Sequence, residues 1–271
     1  MDFLNTILPF LYILTFGVYF VDFMKGDKKL SDTKRIFLFL TLFVHLLYLI
    51  ARTFEFRHMP ITNVFEIFSV LAFCVAFAYF ILELLTDIRG TGPFILIFSV
   101  LFQILSSIFI RDLIDVPNIL RSNLLGSHVF TALLGYAGIT ISAVYGFLYL
   151  MLYKEIKLNK FGIIFDRLPN LEILERLSFF AAIFGFISLT VTIVIGVIWL
   201  PMAFKNFSIT DPKLVGTFLV WLLYGIGILS KALGKWRGKK VVILSITGFV
   251  IAILSTIVTN FLSKSFHSSF Y

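Results

Sequence analysis

Charge is scarce in this chain. Only 14% of its 271 residues are Asp, Glu, Lys or Arg, against 59% hydrophobic, where an ordinary soluble domain carries about a quarter charged residues. That excludes a single water-soluble globule and leaves a membrane protein. Cysteine is nearly absent too. The one thiol, Cys74, lies in an apolar stretch, which excludes an internal disulfide, a CxxC redox pair and a cysteine-based zinc site. Negative charge is the scarcer sign, with 15 Asp+Glu against 23 Lys+Arg. The resulting excess of +8 follows the loops of a membrane topology, so it is not a nucleic-acid footprint and no nucleic-acid partner is expected.

What the chain has in abundance is phenylalanine, 34 of them, set in long apolar runs. A hydrocarbon core of about 30 Å is crossed by about 20 residues of helix. Eight runs qualify: 3–24, 36–54, 64–85, 93–110, 128–153, 177–200, 214–233 and 241–262. The first is not read as a cleavable signal, because nothing basic precedes it and Lys25, Lys28, Lys29, Lys34 and Arg35 follow it. With the N-terminus outside, the inward segments carry five, one, five and five Lys+Arg, sixteen against seven on the other side. In lipid the backbone must satisfy itself within each span, and runs this evenly apolar do so as helices. The expected fold is an all-α integral membrane protein: a single domain over 1–271, a bundle of about eight transmembrane helices with both termini outside, in the cell's inner (plasma) membrane. Within the longest inward stretch, Phe161-Gly-Ile-Ile-Phe-Asp-Arg-Leu-Pro169 suits a short interfacial segment, either a loop on the headgroups or a docking element.

This topology sorts the four histidines. His58 precedes span three, His128 opens span five and His267 follows span eight, all at the predicted outer face, while His45 is near the middle of span two. Arg52 lies seven residues after His45, on the same helical face. Three imidazoles on one side of a bundle fit either the two axial nitrogens of an iron porphyrin or interfacial side chains bonded to water. The tight HExxH spacing of a zinc site is missing. His45 fits a buried ligand or a polar bridge to a neighbouring helix. Haem is a flat apolar ring with two carboxylates, so Arg52, Arg57, Arg111 and Arg121 are the outer cations suited to propionates by bidentate pairing, with Lys213 as a weaker candidate. Glu66 and Glu83 stand about 25 Å apart along one helix, too far for a catalytic pair. Glycines 126, 135, 138, 146, 185 and 196 read as close-packing positions between helices.

Several stretches resemble the cytochrome c assembly family of haem-handling membrane proteins, the CcsA, CcmC and HemX group. Arg57-His-Met-Pro-Ile-Thr-Asn-Val-Phe-Glu66 is similar to that family's GHxPxSNxYE entry to a span, and His45 to Arg52 to its H-x6-R approach. His128-Val-Phe-Thr-Ala-Leu-Leu-Gly-Tyr136 resembles the segment carrying the first external haem-ligating histidine. Leu168-Pro-Asn-Leu-Glu-Ile-Leu-Glu-Arg-Leu177 resembles LPSLExLxRLSY, and Lys235-Trp-Arg-Gly238, Gly248-Phe249 and Asn260-Phe-Leu resemble GWRG, IGF and VNLL. Phe266-His-Ser268 matches the stretch with the second external ligand.

The resemblance implies haem b as cofactor, with His128 and His267 as its metal ligands and His45, Arg52, Arg57, Arg121 and Asp211 as further cofactor-binding residues. The implied partners are haem itself, other membrane proteins of cytochrome c biogenesis or an apocytochrome c, and a soluble haem-synthesis enzyme at the inward loops. Two departures stand out. Where synthases of the family carry a tryptophan-rich WGxWWxWDPKE segment, this chain runs from Trp199 to Lys213 and keeps the Asp211-Pro212-Lys213 end. Where they carry a histidine within the following span, it has Leu229, and leucine cannot ligate iron. Both departures point to the HemX-like branch and to a chain without catalytic activity on its own. The expected function is to hold or deliver haem at the outer face through a bis-histidine site. A regulator of tetrapyrrole synthesis acting through its inward loops, and a transporter of an unrelated small anion, are the alternatives.

Overall fold

The computed structural model describes residues 2–26, 28–110, 112, 116–203 and 210–258. Among them there is no strand, and eight helices are long and apolar enough to cross a membrane. They are α1 (Asp2–Lys25), α2 (Lys28–Phe56), α3 (Val64–Thr86), α4 (Gly92–Phe109), α5 (Asn123–Lys157), α7 (Leu171–Ala203), α8 (Pro212–Ala232) and α9 (Lys239–Ile257), with a short α6 (Ile163–Arg167) between α5 and α7. This is a multi-pass membrane protein. Each predicted span falls on one of these helices, but the second, fifth and sixth helices run well past it, to 29, 35 and 33 residues. Hydropathy finds only the part of a helix in hydrocarbon: α2 begins in the charged sequence from Lys28 to Arg35, α5 ends in Lys154-Glu-Ile-Lys157, and α7 begins with Glu172, Glu175 and Arg176.

Local sequence sets the helix ends. Asn63 caps α3, its side-chain oxygen accepting from the backbone N–H groups of Phe65 and Glu66 at 3.0 and 2.9 Å. Asp87 ends α3 in the left-handed conformation, and Pro93 and Pro212 occupy first-turn positions of α4 and α8.

The chain divides into two compact units. Unit 1 is 1–121 with 151–170, and unit 2 is 122–150 with 171–271.

Unit 1 packs α1 against α2 and α4, and α3 against α2 and α4. Its interior is polar along much of its length. Near the α1 C-terminus, buried Lys34 pairs with Asp22 at 2.7 Å and lies 3.6 Å from Glu83, which accepts from the Tyr19 hydroxyl at 2.5 Å. Arg35 pairs with Asp87, and this guanidinium holds the Asp87 carboxyl below the usual carboxylate range. Further along, the Thr15 and Thr41 hydroxyls meet at 2.8 Å. Next comes a chain through four helices: Tyr12 to His45 Nδ1 at 2.8 Å, His45 Nε2 to Ser69 at 3.0 Å, Ser69 to Gln103 at 3.1 Å and Gln103 to Ser107 at 3.0 Å. At the other end Arg52, only 2% exposed, reaches Glu66 Oε1 through Nε and Nη2 at 3.1 and 2.9 Å and Asp112 through Nη1 at 2.8 Å. Each buried charge has an opposite partner, as burial away from water requires.

Unit 2 packs α7, α8 and α9 together around Ile139, Ala182, Leu189, Val220, Tyr224 and Ala252. α5 meets α7 through small residues. A Cβ on Gly138 would stand 2.7 Å from Gly185 Cα, and one on Gly135 would stand 2.7 Å from a Leu189 methyl. The Ser142 hydroxyl donates to the Ser178 carbonyl at 2.7 Å, and the Ser178 hydroxyl donates to Ser245 at 3.2 Å. Close backbones and hydroxyl bonds are how helices hold one another where lipid is as apolar as leucine.

Candidate functional site

His128 lies in the first turns of α5, on the face that meets α7. Its Nδ1 is 3.0 Å from the backbone carbonyl of Thr192. A carbonyl only accepts, so Nδ1 carries the proton and Nε2 keeps its lone pair. Gly196, one turn beyond Thr192, makes room for the ring: a Cβ there would come within 2.9 Å of Cε1. The Trp199 indole, buried in α7, lies nearly parallel to the imidazole at 21°, with centroids 6.5 Å apart. Thr192 is held in turn, its hydroxyl contacting Thr131 at 3.0 Å and the Ser188 carbonyl at 2.9 Å. Lys213 lies in the first turn of α8. An oriented imidazole and an aromatic wall therefore meet at one end of unit 2. Trp199 is the element that the sequence reading passed over. Its signal was present, since α7 spacing puts residues 192, 196 and 199 on one face.

The other candidates divide between the units. Asp211, in unit 2, caps α8, its carboxylate accepting from the Lys213 N–H at 2.9 Å. In unit 1, Arg52 is held by Glu66 and Asp112, and Glu66 also accepts from the Thr62 N–H and hydroxyl at 2.8 and 2.7 Å. Arg57 is exposed, in a turn with φ 56°, and Arg121 is exposed at the end of a short 3-10 turn, Asn118–Arg121. His45 is fully buried with hydrogen bonds at both ring nitrogens. His58 is buried beside the Phe56 ring, with Nδ1 2.9 Å from the Met59 carbonyl. His267, Arg111, Phe204 and Phe207 lie outside the described residues. Among the described residues no cluster of three His, Cys, Asp or Glu side chains could hold a metal ion. A metal bound to His128 therefore needs ligands from elsewhere or from a cofactor ring.

The fold is that of a multi-pass helical membrane protein. The sequence model described as Cytochrome C assembly protein matches residues 61–267, more than half of the chain, so the chain belongs to the cytochrome c assembly protein family. That membership sets its role in cytochrome c maturation. Similar proteins are each named cytochrome c biogenesis protein CcsA. That of Heterosigma akashiwo is 27% identical over 257 residues, covering 82% of this chain and 80% of the relative. That of Mesostigma viride is 25% identical over 250 residues, covering 83% and 82%. That of Prochlorococcus marinus is 26% identical over 271 residues, covering 89% and 85%.

Proposed function

We propose that this chain holds haem b at the His128 end of unit 2 and presents it to an apocytochrome c or to a partner in cytochrome c maturation. The observation that carries the reading is the fixed tautomer of His128. With the Nδ1 proton bonded to the Thr192 carbonyl, Nε2 is kept as a neutral axial donor. His267, from the chain end after α9, is the second donor. Trp199 gives the flat ring an apolar wall, and Lys213, in the first turn of α8, is the cation for a propionate. Bound there, haem supplies the groups through which it is joined to the cysteines of a c-type cytochrome. The tryptophan-rich segment of the family's synthases is reduced here to Trp199 and Asp211-Pro212-Lys213, so the joining step is left to a partner.

Two measurements test this. Protein purified from haem-replete cells should show a low-spin haem spectrum that is lost in His128→Ala; a preparation with no haem would overturn the reading. Expressed alone in a host stripped of its own maturation system, the chain should leave an apocytochrome without covalent haem. Covalent haem on that acceptor would show that Leu229 and the missing tryptophans carry no weight.

A further inference from the structure

We propose that the segment from Lys154 to Leu168 is a surface for anionic phospholipid, lying in the headgroup layer and selecting negatively charged lipid through Lys154, Lys157 and Lys160.

Two observations fix its depth. α5 has 35 residues, roughly 52 Å of helix against a hydrocarbon core of about 30 Å, so its last turns lie beyond the apolar slab. The chain then returns through α6, whose Arg167 guanidinium donates to the carbonyls of Lys25 and Met24 at 3.0 and 3.4 Å. Those are the last carbonyls of α1, at the boundary of that helix with the headgroups. The clasp is close-fitting. A Cβ on Gly26, at φ +66°, would overlap the Arg167 guanidinium, and one on Gly90, at φ +91°, would come within 2.5 Å of the Arg167 carbonyl. At the other end of the segment Glu155 accepts from the Phe165 N–H at 3.0 Å. The segment is thus held at the level where α1 leaves the membrane.

Its free face joins two chemistries. Phe161 is 62% exposed, Leu158 51% and Ile163 40%, and Phe161 packs edge-on against Phe165 with centroids 4.8 Å apart. Lys154, Lys157 and Lys160 are exposed beside them. Apolar side chains at headgroup depth seat in the acyl boundary, and lysines on flexible stems reach phosphates. A soluble acidic protein would match the lysines but would leave the phenylalanines to be covered by lipid in any case. The leaflet covers both at once.

The test uses the full chain with an environment-sensitive probe on Phe161→Cys; the native Cys74 is buried and stays unlabelled. The protein is reconstituted with phosphatidylcholine plus brominated phosphatidylglycerol, or plus brominated phosphatidylcholine at the same fraction. Each lysine near an anionic surface adds roughly a fivefold preference, so quenching should show local enrichment of the anionic lipid on the order of tenfold or more. Replacing the three lysines with glutamine should make the two lipids equal while quenching persists. Equal quenching by both lipids with the lysines intact would overturn the selectivity. Quenching by neither, with the probe open to aqueous iodide, would place the segment in water and free it for a soluble partner. The unsubstituted lysines give the deciding ratio, so the result does not depend on how the triple variant folds.

Discussion

A Cβ on Gly196 would stand 2.9 Å from Cε1 and 3.2 Å from Nδ1 of His128. The imidazole therefore occupies a notch in α7, bonded one turn away to the Thr192 carbonyl. Gly196→Ala should push the ring off that carbonyl, freeing the tautomer and weakening haem affinity about 10- to 100-fold, as loss of a ligand's hydrogen-bonding support does. Haem titration followed by absorbance measures it, and 15N shifts of the His128 ring report the tautomer without haem. Gly17→Ala is the control, since no heavy atom lies within 4 Å of the added carbon. Unchanged 15N shifts in Gly196→Ala would show that the notch does not orient the ring.

The Arg52–Glu66 pair is a buried contact whose halves depend on each other. Arg52→Met leaves a buried carboxylate without its cation, which costs roughly 3–5 kcal/mol. Adding Glu66→Gln removes the stranded charge and keeps an oxygen to accept from the Thr62 N–H. The double variant should recover most of the thermal stability lost by Arg52→Met, measured as Tm in detergent. Equal losses in both would mean that the two residues are not coupled.

Much of this fold was legible in the sequence, because the cost of an unpaired backbone in lipid makes every span a long apolar run. The core of unit 1 was less legible. Lys34 and Arg35 read from sequence as loop cations holding an end inside, yet Lys34 is 1% exposed in an ion pair with Asp22 on the neighbouring helix. Counting signs along a chain cannot see a partner twelve residues away across a turn. Glu66 read as a lone carboxylate at a span end and proves to be the counter-ion of Arg52. Asp211, which the family pattern brings toward the cofactor, has a local explanation as the cap of α8. The His128 notch needed residues 64 and 68 positions away; Gly196 read from sequence as a close-packing position, while Thr192 and Trp199 did not stand out.

His45 tests whether the polar chain of unit 1 serves stability or cofactor. His45→Leu strands the Tyr12 hydroxyl and leaves Ser69 with Gln103, costing about 1–3 kcal/mol for the buried hydroxyl left unpaired. The thermal midpoint should fall while the low-spin haem spectrum persists. Disappearance of the spectrum in this variant alone would move the iron ligand into unit 1.

The charge split predicts both termini outside. Ser269→Cys, beyond the described residues, should react from outside with an impermeant thiol reagent, and Lys235→Cys should react only after permeabilisation. Buried Cys74 gives no background. The reverse pattern would invert every loop and carry the His128 end to the other face.

The proposed function predicts that His128 and His267 ligate one iron. They are 139 residues apart in sequence, but one opens the fifth span and the other follows the eighth, so the alternation of spans puts both on the same side of the membrane. Two imidazoles make the iron low-spin, and losing one leaves a position for water or an added ligand. His128→Ala and His267→Ala should then lose the low-spin spectrum to the same extent, with the double variant little worse than either, because groups acting as a unit are not additive. Added imidazole should restore the low-spin bands in each single variant. A spectrum that survives His267→Ala and vanishes in His128→Ala would keep the oriented imidazole of α5 as a ligand and assign the second position to another residue.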